Sequence, residues 1–308
     1  MALVVTGTIS IDTIHTPSGE VRPDILGGSC TYFAAAASFF TPVRMVAVVG
    51  QDFPPHLRAT LDRFPNIDTR GLEVRAGSKS FRWGGRYLDN MDQRETVFTD
   101  LNVIAEAPPP VPEAYRDSPL VFLANTHPAI QMHMLEHFDR RILAVADTMD
   151  LWINHHRDDL LALLRRVDGL VLNYDEAELM TGKRNTVAAA RALLAHGPRF
   201  VVVKKGEHGC ILAHQDGLAA LPAYPAENVI DPTGAGDTFA GGMMGHLARR
   251  LAEGKEIRSF EAIRQALAHG TIVASFTIED FSLDRLARLT AEDIRWRTDE
   301  FARMLRMG

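Results

Sequence analysis

The chain has 308 residues, 46% of them apolar and 23% charged, the makeup of a soluble globular protein large enough for one big domain or two smaller ones. Against 39 Asp and Glu stand 33 Lys and Arg, leaving a formal charge of −6 with no long basic run and so no electrostatic footprint for nucleic acid. No stretch of ~20 apolar residues offers a membrane span, and residues 1–7 lack the positive n-region of a secretion signal, so a cytoplasmic location is expected.

Strand and helix patterns alternate from the start. A strand is predicted over residues 3–5, a helix over 32–40, a strand over 43–49 and a helix over 55–63. Two segments, about 13–25 and about 79–105, instead carry strand-like patterns with no helix between them. In the second, Val97, Thr99, Leu101 and Val103 are expected on one strand face, with Phe98, Asp100 and Asn102 on the other. Such an addition is either a lid over a ligand or an edge extension of the main sheet. The prolines at 108–110 and 112 make a stiff return to the body. Strands over 120–123, 142–146, 169–172 and 200–203 then alternate with helices over 130–138, 158–166, 175–180 and 187–196. Helical patterns follow at 261–274, 284–288 and 291–307. Continuous apolar strands between helices predict an α/β fold: a central, mainly parallel sheet covered on both faces, in a single domain spanning 1–308 with a small β lid.

The two cysteines, Cys30 and Cys210, sit in apolar surroundings and read as reduced core thiols. The twelve histidines are scattered, and His155-His156 lacks the i, i+4 spacing of a helical metal site, so they read as surface polarity. Asp12 follows the first strand, at the carboxyl end where open parallel sheets bind ligands; it either accepts from substrate hydroxyls or serves a turn. Gly27-Gly28 opens an alanine-rich helix where backbone can approach a ligand closely. Asn173 to Glu176 reads by itself as a capping asparagine with first-turn acids.

Residues 231–242, Asp-Pro-Thr-Gly-Ala-Gly-Asp-Thr-Phe-Ala-Gly-Gly, are the most informative stretch. A glycine turn leads into a helix whose free N–H groups and dipole attract a phosphate. Asp237 is no phosphate ligand, since two anions repel; it suits a base that takes a proton from an attacking hydroxyl.

In this extended form the segment resembles the C-terminal signature of the ribokinase-like (PfkB) carbohydrate kinase family. Asp12, Gly27-Gly28, Asn173-x-x-Glu176 and Lys204-Lys205-Gly206-x-x-Gly209 match further family patterns in the right order. The resemblance implies a ribokinase-like fold and transfer of the γ-phosphoryl of ATP, with Mg2+, to a hydroxyl of a sugar or, alternatively, a nucleoside. Asp237 would be the general base, and the amides of Gly234, Ala235 and Gly236 would hold developing charge. Asp12, Gly27, Gly28 and Tyr32 would meet the acceptor. Tyr32 stands where the family often has asparagine, offering ring stacking and one hydroxyl in place of an amide. Asn173, Lys204, Gly206, Gly209, Thr233 and Ser275 would line the nucleotide, Lys204 either reaching a phosphate or projecting into solvent. Glu176 would act on magnesium through water, and Asp231 is a candidate for a K+ site. Residues 147–152 are taken as scaffold bordering the cleft. An exposed lid edge would allow a homodimer. The rival from another class is a non-catalytic ligand sensor on the same fold. A dinucleotide-dependent dehydrogenase has little support, because Thr6-Gly7-Thr8 lacks the later glycines of G-x-G-x-x-G.

Overall fold

The computed structural model describes residues 3–306 apart from 90 and 92. Its strands, in chain order, begin with β1 (Leu3–Thr6), β2 (Ser10–His15), β3 (Val21–Gly27), β4 (Val43–Gly50) and β5 (Ile67–Arg75). Next come β6 (Phe81–Tyr87), β7 (Arg94–Asp100), β8 (Leu120–Leu123), β9 (Leu143–Asp147) and β10 (Gly169–Asn173). Last are β11 (Phe200–Lys204), β12 (Cys210–His214) and β13 (Gly217–Leu221).

Nine of these strands form one sheet in the order β13-β12-β11-β10-β9-β8-β1-β4-β5. It is parallel from β11 to β5 and antiparallel only at β12 and β13. Every residue of β1, β8 and β9 is buried, as strands covered by helices on both faces must be. Two apolar clusters flank the sheet, one built on the helices Ser29–Ala37, Ala235–Ala252 and Phe260–Thr277, the other on helices between Pro128 and Leu194. Strands β5 and β13 lie at the two edges of this sheet; β5, Ile-Asp-Thr-Arg-Gly-Leu-Glu-Val-Arg, lacks the apolar run of a central strand, and β13 alternates in exposure.

The other four strands form a separate sheet in the order β3-β2-β6-β7, with β2 and β6 parallel and the outer pairs antiparallel. Its strand β7 ends at Asp100, so Leu101 and Val103 do not continue the strand face expected of them. Asn102 adopts φ 46° and opens a 3-10 turn, Asn102–Ala105, with its amide donating to the Ser80 carbonyl at 2.9 Å. A left-handed residue reverses the chain where the strand would have run on. This sheet packs on the body through Ile14, Tyr87 and Phe281, with the Arg22 guanidinium 4.8 Å from the Phe281 ring. The C-terminal helix spans Ala291–Met304; position 307 of its expected range lies outside the described residues. Both cysteines are free and buried, and no helix among the described residues is long and apolar enough to cross a membrane.

Candidate active site

The 231–242 stretch forms a tight loop and the first turns of the 18-residue helix Ala235–Ala252. Asp231 is buried, and its Oδ1 accepts from the Thr233 N–H at 2.9 Å, closing an Asx turn. Gly234 caps the helix at φ 75°, ψ 0°, and a Cβ there would lie 2.3 Å from the Tyr32 ring. Only glycine satisfies both the left-handed angle and the close approach. A left-handed residue followed by a right-handed helix gathers successive N–H groups into one concavity, and the helix dipole adds positive potential there. Of the three amides expected in it, that of Ala235 already donates to the Pro232 carbonyl at 3.1 Å. Gly234 and Gly236 are left as the candidates for that role.

Asp237, the third residue of the helix, is half-buried. Burial, and then the Asp147 carboxylate, push its pKa up to about 7 against the pull of Lys204 and Arg94. Asp147, Asn173 and Lys204 are the last residues of β9, β10 and β11, so adjacent parallel strands deliver the site at their carboxyl ends. Lys204 turns inward, contrary to the solvent-exposed alternative. A Cβ on Gly236 would meet its Nζ at 2.7 Å, so the ammonium lies against the first turn of the signature helix. Burial opposes the charge of Lys204, but Asp147, Glu176 and Asp237 raise its pKa and hold it protonated.

Asn173 and Glu176 realise the capping alternative. Asn173 Oδ1 accepts from the Glu176 N–H and Glu176 Oε2 accepts from the Asn173 N–H, both at 2.8 Å. Burial, and then Asp147, also push the Glu176 pKa upward. Buried carboxylates that resist ionisation beside one another are groups a dication would relieve, and oxygen donors are what magnesium takes.

Asp12 does not stand at the end of β1 but on β2, in the smaller sheet. Its carboxylate occupies the space above Gly27, where a Cβ would fall 1.8 Å from Oδ2. Burial raises its pKa to about 7, with Ser10 opposing and Asp231 adding to the rise. Asp12 Oδ1, Asp231 Oδ2 and the Tyr32 hydroxyl are buried with no hydrogen-bond partner among the described residues. Such orphans are rare in a folded core, and a hydroxyl-bearing ligand would satisfy them. Tyr32 offers only its hydroxyl. The ring is 1% exposed and packed beneath Gly234, so it is no stacking platform.

The smaller sheet contributes more than the sequence revealed. Asp12 pairs with Trp83, and Tyr87 with Arg94, so each pair shares a sheet face; Asp12 and Tyr87 are buried, Trp83 is half-buried and Arg94 is exposed. The Tyr87 hydroxyl lies 2.9 Å from Thr233 Oγ1, so Thr233, expected at the nucleotide, is joined to this sheet. Arg94 stacks 5.3 Å over the Trp83 ring, and its charge pulls down the pKa of both Asp12 and Asp237. Asp147 was legible in principle, because it ends a parallel strand as an acid. Arg94 was not, because only the β6–β7 pairing brings it to the cleft. Gly206 and Gly209 form the turn between β11 and β12. Ser275 is engaged in the core, its Oγ donating to the Ile272 carbonyl at 2.7 Å and accepting from Arg297 at 3.0 Å.

Asp237 makes the ligand-free protein pH-sensitive with a defined sign. Its folded pKa of about 7 exceeds the ordinary 3.8. The contribution is therefore neutral below pH ~4, stability falls as pH rises from ~4 to 7, and the loss is complete above 7. Asp237→Asn is expected to stabilise the protein by on the order of 1–3 kcal/mol above pH 7, and by much less near pH 5. Melting curves at the two pH values check this, and an equal gain at both would refute it.

A sequence model of pfkB family carbohydrate kinases matches residues 3–285. A cytidine kinase of Thermococcus kodakarensis is 29% identical over 252 residues, covering 80% of this chain and 88% of the relative. A Burkholderia thailandensis nucleoside kinase solved with inosine superimposes with a TM-score of 0.73 at 19% identity, covering 97% of this chain and 98% of that one. An Arabidopsis thaliana ribokinase solved with ribose and ATP gives 0.75 at 18% identity, covering 97% and 99%. These superpositions identify the mainly parallel α/β architecture as the ribokinase-like fold. The chain belongs to the pfkB family of carbohydrate kinases, and is a carbohydrate or nucleoside kinase of that family.

Proposed function

We propose that the protein transfers the γ-phosphoryl group of ATP to a hydroxyl of a nucleoside, with Asp237 as general base. The observation that carries the acceptor class is the extent of similarity. The cytidine kinase aligns over 80% of this chain, whereas a fructokinase of Oryza sativa aligns over 36%. A free sugar remains the second reading, favoured by the buried Asp12 carboxylate, whose orphaned Oδ1 suits a sugar hydroxyl equally well.

When bound, MgATP supplies the transferable phosphoryl group. Asp237, half-ionised near neutrality, removes the acceptor proton as the hydroxyl attacks. The Gly234 and Gly236 amides and the protonated Lys204 stabilise charge that develops at the helix start. Asp147 and Glu176 would hold the dication, directly or through water. Asp12 and the Tyr32 hydroxyl orient the acceptor. The smaller sheet acts as a lid: Tyr87 fastens it to Thr233, Arg94 brings a cation over the site, and closure excludes competing water.

Arg94→Ala is expected to lower kcat/KM by ~10–100-fold with little change in melting temperature, and Arg94→Lys to recover part of it. Unchanged kinetics would remove Arg94 from the site. The acceptor is tested by ADP release with MgATP across cytidine, adenosine, inosine, pentoses and hexoses. Turnover with nucleosides well above sugars is expected. Turnover with sugars alone would overturn the nucleoside reading, and ADP from no acceptor would revive the non-catalytic sensor.

A further inference from the structure

A second constellation plays no part in the phosphoryl-transfer scheme. His127 follows β8 and caps the helix Pro128–Leu135, its Nδ1 accepting from the Ala129 N–H at 3.1 Å. Its Nε2 lies 3.0 Å from His156 Nδ1. His156 is the hinge residue between the helices Asp150–His155 and Arg157–Leu164. Asp159, in the first turn of the latter, brings Oδ2 to 3.9 Å from His156 Nδ1. All three groups are half-buried, and their donor atoms lie within 4.8 Å of one another. His127 and His156 are therefore not scattered but adjacent in space. Chain positions 29 apart converge because β8 and β9 are neighbours and both loops leave the same end of the sheet.

We propose that His127, His156 and Asp159 form a binding site for a borderline divalent cation of the zinc class, with three protein ligands and a fourth position open to water. A tetrahedral ion with bonds of ~2.0–2.1 Å holds its donors about 3.3 Å apart. Two of the three separations, 3.0 and 3.9 Å, bracket that spacing, and all three lie within 4.8 Å, so side-chain rotations can draw the donors onto one ion. Two imidazoles with a carboxylate suit zinc, cobalt or nickel, whereas the magnesium of a kinase reaction prefers oxygen donors alone. The ion would thus be a different species from the one at Asp147 and Glu176.

The Ala129 bond places the lone pair of His127 on Nδ1 and its proton on Nε2, which donates to His156. Ligation through Nε2 moves that proton to Nδ1 and exchanges one helix-capping hydrogen bond for a metal bond. The bound ion would cross-link the loop after β8 to the helices after β9. In the same region Trp152 Nε1 donates to Asn125 Oδ1 at 2.8 Å, and its ring centroid lies 5.2 Å from that of His127.

The test is calorimetric titration of the full-length, metal-stripped chain with zinc in magnesium-free buffer, repeated with cobalt to read ligand-field bands. One ion per chain with micromolar or tighter affinity is expected, with the visible bands of a four-coordinate site. His156→Ala should weaken binding by at least about tenfold. His127→Asn is the discriminating variant. Asparagine accepts the same capping bond, so the fold and melting temperature are retained while the ligand is lost. Affinity weaker than about 100 μM, or unchanged affinity in both variants, overturns the site.

Discussion

Asp237→Asn is expected to slow phosphoryl transfer by about 10²–10⁴ while leaving ATP affinity nearly unchanged. The isosteric amide keeps the shape of the helix start but does not accept a proton from the attacking hydroxyl. The change falls on kcat because the base acts on the acceptor and the nucleotide is held by other groups. A second signature separates a base from a merely structural acid. With a pKa of about 7, Asp237 should give a kcat/KM that rises with pH and levels above neutrality. That limb should disappear in the variant. Steady-state rates from pH 5.5 to 8.5 check both outcomes, and an Asn variant with the wild-type pH limb and rate would sink the assignment.

Gly234→Ala is expected to lower turnover by ~10²–10³ and to destabilise the fold by about 2–4 kcal/mol. Two independent causes add. The left-handed angle of 75° is unfavourable for any residue with a Cβ, and the new methyl would sit 2.3 Å from the buried Tyr32 ring. Relief requires the turn to shift, which moves the amides at the helix start. Gly236→Ala is the control: its Cβ would meet only the far end of Lys204, at 2.7 Å, and a flexible ammonium can move aside. Melting should therefore rank Gly234→Ala well below Gly236→Ala. Adding Tyr32→Ala to Gly234→Ala should remove the clash but leave the backbone strain. Equal stability of the two glycine variants would refute the steric account.

The order of elements in the body was legible because central strands of a parallel sheet are apolar throughout and helices are periodic. The smaller sheet was legible as two patterns without helices, but its end was not. The left-handed Asn102 and its bond to Ser80 terminate β7, and no local apolar pattern encodes them. Tyr32 shows the same limit at one residue. The sequence offered an aromatic ring near an acceptor, and packing against Gly234 removed the ring from reach.

The sequence by itself determined the fold, through the alternation of apolar strands and periodic helices, the family, through motifs in the right order along the chain, and the glycine turn with its acid, which residues 231–242 encode locally through glycine angles, a helix start and a charge. Tertiary structure alone decided the company Asp237 keeps. Asp147 and Lys204 come from separate strands, Arg94 and Tyr87 from the smaller sheet, and His127 and His156 converge in a second cluster. Those placements depend on strand order and sheet packing, and the pKa of a carboxylate depends on burial and on charges brought near it in space. Neither is written in any one stretch of chain.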